Sequence, residues 1–453
     1  MTAPLTRSGD RLAQDGLAPR PSFRSVLHVN EKGGRFGGTE EYIALLTGAL
    51  ASRDVRSHLV CGVVGADEPP GFESTHVVRG LASRQPRAGT PDAVVDVVAA
   101  VDPDVVYVHN VFDPAVVEAV AAHAGERAVI WYVHDHYLTC LTELRWRHDL
   151  GACPHRLGSD CLTAIEAGLC VRRHPGSTFG AAALDARTSL FRSLGAVDAV
   201  VVVSEYMRRS LVDAEPALVD RLHRVTRPVR APVGRRGRVR RPADPTVIVC
   251  AGRITAEKGQ AVVIEALGAL PASGPVELRI AGVIEDAAYW DHCRQLRDLA
   301  TDRNPRLTVE YLGHLDYDAT DAQLGVADIV TVPSQWPEPL GAVALEAMAA
   351  GATVVASDIG GLADTITAGH DGLLVHPSDV PAWTAAIASL VGAPDDARRL
   401  ADQAIRNLAA ATIESHVEAL DHIVSRHRTG SRETPTAIDL RRRRRMTDVD
   451  GGW

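Results

Sequence analysis

The feature that most restricts this chain is a repeated beat: short, continuously apolar runs separated by stretches of helical periodicity. In the first half the runs are Ser25–Val29, Asp104–His109, Val129–Val133 and Ala199–Val203. In the second they are Thr246–Cys250, Glu277–Ala281, Leu307–Tyr311, Ile329–Val332, Thr353–Ala356 and Gly372–Val375. Runs without apolar–polar alternation suit strands buried on both faces, with helices as the cover. Thr39 is placed to cap a helix through Ser52, Pro91–Val101 reads as another, and Ser204 precedes a third. This alternation predicts an α/β protein with two Rossmann-like, doubly wound parallel domains. Such sheets bind ligands at the carboxyl ends of their strands, so two of them joined would leave a cleft between them.

The two series are separated by Arg227–Pro245, which holds five arginines between Arg235 and Arg241 and several prolines. That composition reads as a linker. The expected organisation is a disordered segment over 1–22, a first domain over 23–226, the linker over 227–245 and a second domain over 246–410. A helix over 411–428 and a disordered tail over 429–453 complete it. A hydrophobic share of 46% is ample for two cores, and a net charge of −9 gives no reason to invoke nucleic acid. Apolar runs are broken by Asp, Pro or Gly before they reach the length of a membrane span, and the first residues carry no secretory h-region. A cytoplasmic protein is expected, with peripheral membrane contact and oligomeric state left open.

All but two of the 48 basic residues are arginine. The exceptions, Lys32 and Lys258, both sit in Glu-Lys-Gly. Either they are chance survivors or a compact ammonium is needed there that a guanidinium does not reproduce.

The most informative stretch is Pro333–Gly351. Pro337 and Pro339 bracket Glu338, which places that carboxylate on an extended loop. From Gly341 the pattern turns helical, with Glu346 inside the helix. The free N–H groups near Gly341, Ala342 and Val343 lie between the two carboxylates, an arrangement suited to a polyhydroxyl, anionic ligand. After the first strand of the second half, Arg253 and Lys258 flank a loop that leads into a helix from Gln260. Two cations beside a helix N-terminus suit a diphosphate.

Together these motifs resemble the nucleotide-binding domain of the retaining glycosyltransferases of family 4, which have the two-domain GT-B fold. Glu338 and Glu346 match the family's pair of glutamates, and Arg253 and Lys258 its basic pair. The resemblance spans Ser25 to His427 and implies that the last helix returns toward the first domain. It implies a nucleoside-diphosphate sugar donor, UDP first and GDP next, and transfer with retention to a small-molecule or lipid-linked acceptor. By the same resemblance Glu338 binds donor sugar hydroxyls and Glu346 the ribose. The leaving diphosphate, stabilised by Arg253 and Lys258, takes the acceptor's proton on the same face, and no catalytic divalent metal is required.

In the first half, Gly33–Gly38 looks like the family's glycine-rich loop, where Gly37 and Gly38 let backbone N–H groups approach the leaving phosphate. Tyr132-Val-His-Asp-His136 resembles its His-Asp motif, which puts His134 at the donor sugar. His109 and Asn110 at another strand end, with Lys32, are candidates for the acceptor side; a structural role is the alternative for His109 and Asn110. One departure falls near the base pocket, where Val283-Ile284-Glu285 stands in place of a further glycine.

Cys140, Cys153, Cys161 and Cys170 cluster in an insertion over 137–175, spaced C-x12-C-x7-C-x8-C. In a reducing compartment such thiols predict a structural zinc site, although no C-x2-C pair is present. The alternative is four unrelated thiols. For the whole chain the alternative is a non-catalytic nucleotide-sugar-binding or partner-binding protein on the same fold.

Overall fold

A computed structural model describes residues 20–34, 37–65, 71–171, 179–229, 244–271 and 274–429. The expected disordered ends and the arginine run Arg235–Arg241 lie outside these residues, apart from residues 20–22 and 429.

Two parallel sheets carry the molecule. The first has seven strands in the order β3-β2-β1-β4-β5-β8-β9. They are β1 (Ser25–Gly33), β2 (Arg56–Val64), β3 (Ser74–Val77), β4 (Val105–Val108), β5 (Ala128–Val133), β8 (Ala199–Val202) and β9 (Leu222–Arg224). Between β5 and β8 the insertion forms a small antiparallel hairpin, β6 (Trp146–Arg147) and β7 (Gly151–Ala152). The second sheet has six strands in the order β12-β11-β10-β13-β14-β15. They are β10 (Thr246–Ala251), β11 (Val276–Ala281), β12 (Leu307–Gly313), β13 (Ile329–Val332), β14 (Thr353–Ser357) and β15 (Leu373–Val375). In both sheets the strand order reverses beside the first strand, the switch point at which such sheets bind ligands.

The central strands are sealed on both faces. Every residue of β4, β5, β8 and β13 is buried, as their continuous Val/Ile runs require. The register sets Val108 beside Trp131 and Val29, so the residues just beyond these strand ends emerge together at one edge of the sheet.

The last helix, Ile413–Thr429, packs back on the first half. The Ser22 amide donates to Asp421 Oδ1 at 2.7 Å, and Tyr42 Oη donates to His416 Nε2 at 2.9 Å. The two halves meet at further points. His136 Nε2 donates to the Pro337 carbonyl at 2.8 Å, and Ser204 Oγ to the Pro339 carbonyl at 2.5 Å.

Two local expectations are corrected. The first strand runs on through Asn30–Gly33 because β2, which periodicity alone did not single out, pairs Lys32 with Val63 and Gly33 with Val64. Consequently the first helix begins at Gly38 with Gly37 as its cap, and Thr39 lies inside it. Ser204 caps its helix as expected, accepting from the Met207 amide.

Candidate active site

The carboxyl ends of the two sheets enclose a cavity of about 760 Å³. From the first half Lys32, Gly37 and Gly38 line it; from the second come Arg253, Lys258, Glu285, Glu338, Gly341, Ala342 and Val343. Each side chain is brought there by a strand end. Arg253 and Lys258 follow β10, Glu285 follows β11, and Glu338 follows β13.

The loop that carries Glu338 is held from behind by glycines. The Gly361 amide donates to the Glu338 carbonyl at 2.6 Å, and a Cβ on Gly360 would lie 2.5 Å from that same oxygen. Gly341, at φ 80°, caps the helix Ala342–Ala350 from the left-handed region. Ala342 and Val343, the first residues of that helix, line the cavity, and the first N–H groups of a helix lack the intrahelical acceptors that later turns provide.

The charges are arranged in two groups. Lys258 Nζ donates to Glu338 Oε1 at 2.5 Å, and the same oxygen accepts from Ser334 Oγ at 2.6 Å and Trp336 Nε1 at 3.1 Å. Burial by itself would raise the Glu338 pKa. The Lys258 charge and these hydrogen bonds outweigh it and hold the carboxyl below its ordinary value. In the second group Arg253 sits between Glu257 at 3.1 Å and Glu285 at 2.5 Å. Glu285 belongs to the segment that replaces the expected glycine, so this departure puts a carboxylate on a cavity cation. The next residue, Asp286, caps the helix Ala287–Arg303.

Glu346 stands beyond the cavity lining, toward the first half. Its Oε1 lies 3.9 Å from Arg227 Nη2. Burial raises its pKa, Asp321 and Glu41 add to that, and Arg227 and a bond from Tyr317 oppose it.

On the first-half side a row of imidazoles leads inward. His134 Nε2 and His109 Nδ1 are 3.0 Å apart, as are His109 Nε2 and His28 Nδ1. His134 stacks on Tyr132 with ring centroids 4.6 Å apart. His28 and His109 are fully buried. The structure therefore corrects the acceptor-side expectation for His109: it is enclosed between two other histidines and offers no surface to a ligand. Asn110 donates to Thr39 Oγ1 at 3.3 Å and ties the strand end to the first helix. Lys32 reaches the cavity wall, 41% exposed, with Glu31 at 3.5 Å.

The row of histidines is neutral. Desolvation lowers His28 to a pKa of about 3, with His58 adding to it, and lowers His134 to about 3. His416, buried on the last helix, falls to about 4, again mainly through desolvation. Such groups contribute stability that is complete above the unfolded value near 6.5. It is lost as pH falls toward about 4 for His416 and about 3 for His28. Each costs about 1.4 kcal/mol per pH unit inside that window. We expect the urea midpoint to drop between pH 7 and pH 5, where few carboxylates titrate; equal midpoints would contradict the assignment.

The expected zinc site is not assembled among the described side chains. Cys140, Cys153, Cys161 and Cys170 are free. Among the described residues no group of three or more His, Cys, Asp or Glu side chains could hold a metal ion. Backbone bonds explain the neighbourhood of two of them. The Cys153 amide donates to the Arg145 carbonyl at 2.7 Å, just before β6, and Cys170 bridges to Arg147 within β6. Burial raises the Cys153, Cys161 and Cys170 pKa values, the last to about 11, and the neighbouring thiols, Cys140 among them, add to the rise.

Two site residues escaped the sequence reading. His136, which holds the Glu338 loop through Pro337, was visible in the His-Asp-His motif. Arg227 was hidden by the abundance of arginine; its signal was its position, three residues past the end of β9 and before a proline.

Comparison with known proteins matches both halves. The family model "Glycosyltransferase Family 4" covers residues 36–231, and "Glycosyl transferases group 1" covers 235–407. Glycogen synthase of Mycobacterium tuberculosis is 37% identical over 38% of this chain, a match that spans 40% of that relative's length. A D-inositol 3-phosphate glycosyltransferase of Paenarthrobacter aurescens is 28% identical over 86% of this chain and 95% of its own. Among solved structures, a Rickettsia africae glycosyltransferase aligns with a TM-score of 0.65 at 15% identity, covering 90% of this chain and all of its own. HepE of Anabaena in complex with UDP aligns at 0.63 and 17% identity, covering 89% of this chain and all of its own. Among the described residues no helix is long and apolar enough to cross a membrane.

Proposed function

Taking as premise that the chain belongs to the family 4-like glycosyltransferases of the GT-B fold, we propose that it moves a sugar, with retention, from a nucleoside diphosphate to a small-molecule or lipid-linked acceptor. The observation that carries this reading is the cavity between the two sheets, where Lys258, Arg253 and Glu338 stand beside a helix N-terminus. A diphosphate placed at Gly341–Val343 meets backbone N–H groups and both cations. Without ligand these cations are held by Glu338, Glu257 and Glu285. Donor binding re-partitions those ion pairs: the ammonium and guanidinium turn to the phosphates, and Glu338 is released to accept from sugar hydroxyls.

In this reading Glu346 takes the ribose, Gly37 and Gly38 admit the phosphates to the first helix, and His134 touches the donor sugar. Lys32 and Asn110 face the acceptor. As the bond from the anomeric carbon to the diphosphate breaks, negative charge grows on the leaving oxygen. Arg253 and Lys258 stabilise that charge, and the same oxygen takes the proton of the attacking acceptor. The UDP bound to HepE makes uracil the first base to test, with guanine next.

The test is a thermal-shift panel with UDP, GDP, ADP, CDP and dTDP. A ligand at about 100 times its dissociation constant adds roughly 2.7 kcal/mol if it binds only the folded state. We expect one nucleotide to raise the melting temperature and Glu346→Ala to abolish the rise. No shift with any of them would favour a non-catalytic protein on the same fold.

A further inference from the structure

At the seam between the halves, behind the cavity lining, stands a cation that the functional reading does not use. Arg227 leaves the first sheet just after β9 (Leu222–Arg224). Its guanidinium reaches the seam between the halves. Nη2 lies 3.9 Å from Glu346 Oε1, and Nη1 lies 3.7 Å from where a Cβ on Gly38 would stand. Gly38 lines the cavity, and Glu346 is one helical turn beyond Val343, which lines it from the other side. Arg227 is thus set between the glycine-rich loop and the helix to which the diphosphate and ribose are assigned.

Its neighbours hold it in place. The His416 Nδ1–H donates to the Thr226 carbonyl at 2.9 Å, and the Val225 amide donates to the Val202 carbonyl at 3.0 Å. Tyr132 Oη donates to the Val225 carbonyl at 3.3 Å. The backbone that presents Arg227 is therefore pinned from the last helix and from two strands of the first sheet. The side chain is only 14% exposed, so its charge has given up most of its water.

The cations Arg253 and Lys258 each touch a carboxylate at 2.5 Å. Arg227 faces its carboxylate at 3.9 Å, beyond hydrogen-bond length. Burial also biases Glu346 toward its neutral form, which weakens that pairing further. A desolvated guanidinium with a distant partner gains most from a doubly charged, multi-oxygen anion, which it can bind in bidentate fashion.

We propose that Arg227 is a third donor-binding cation, contributed by the first half, that contacts the diphosphate of the nucleotide across the cleft. The diphosphate then joins the two halves directly, with Arg227 on one side and Arg253 and Lys258 on the other. This rests on the donor reading above.

The test is titration calorimetry on the full chain with UDP and with uridine, or with GDP and guanosine if the thermal panel selects guanine. Arg227→Gln is expected to weaken the nucleoside diphosphate by about 10- to 100-fold, the range for a lost hydrogen bond to a charged group, and to leave the nucleoside unchanged. Arg227→Lys, which keeps the charge, recovers part of the loss and guards against a folding defect. Equal weakening of diphosphate and nucleoside would place Arg227 on Glu346 and the ribose and overturn the proposal. Unchanged diphosphate affinity overturns it too. If the wild-type protein binds none of the nucleoside diphosphates, the donor reading itself fails, which the wild-type titration alone reveals.

Discussion

Lys258→Ala is expected to slow turnover by roughly a hundredfold or more, the scale seen when one donor to a developing oxyanion is lost. The geometry gives the variant a second effect. Glu338 is buried, and without Lys258 its carboxylate keeps only Ser334 and Trp336 as the donors seen here. Removing one member of a buried pair costs about 3–5 kcal/mol, the lower end applying because Lys258 is 22% exposed. The two effects separate with Lys258→Arg. Restoring a positive charge beside Glu338 should return most of the stability. A broad guanidinium in place of a compact ammonium should return only part of the rate. Steady-state rates, with urea unfolding of each variant, make the comparison; a folded Lys258→Ala protein with unchanged turnover would refute the assigned role.

The pH dependence of this pair has a defined sign. The Glu338 carboxyl is depressed in the folded state, so its contribution is present above the ordinary carboxylate value and is lost as pH falls through the folded one. In Lys258→Ala burial acts with less opposition. The Glu338 pKa rises, and the acid limb of the stability profile moves up with it.

Gly259→Ala is the second change with a large expected effect. Gly259 has φ 73°, and a Cβ there would lie 2.0 Å from the Pro333 carbonyl oxygen and 2.9 Å from Gln335 Nε2. The obstacle is backbone, so it cannot rotate away. We expect a loss on the order of 3 kcal/mol or more, with nucleotide binding falling as well because the same turn carries Lys258. Gly313 supplies the control. It has φ 77° and nothing within 4 Å of its would-be Cβ. Gly313→Ala should cost only the left-handed backbone penalty, about 1–2 kcal/mol. Equal losses in the two variants would mean that the approach of Pro333 to Gly259 is not what restricts this position.

His109 shows why strand ends are ambiguous in a sequence. A polar residue after an apolar run emerges at the carboxyl edge of the sheet, where a ligand site and a buried polar network look the same in one dimension. His134 and His109 occupy equivalent places after β5 and β4, yet His109 is closed in by His28 on one side and His134 on the other. The cysteines show the converse. Proximity in sequence suggested a metal, whereas ligation depends on side-chain directions, and among the described residues no group of three or more His, Cys, Asp or Glu is disposed to hold one.

By itself the sequence determined the two parallel sheets and the second-half site motifs. Both are written locally: strand burial in continuous Val/Ile runs, and the Arg253–Lys258 and Glu338–Glu346 spacings in single strand–loop–helix units. Only the tertiary structure decided which side chains meet across the cleft. The bond from His136 to Pro337, the seat of Arg227 beside Gly38 and Glu346, and the return of His416 to Thr226 each join residues far apart in the chain. They depend on how two sheets and a last helix pack together. Periodicity reports which face of an element is buried and carries no information about which distant element buries it.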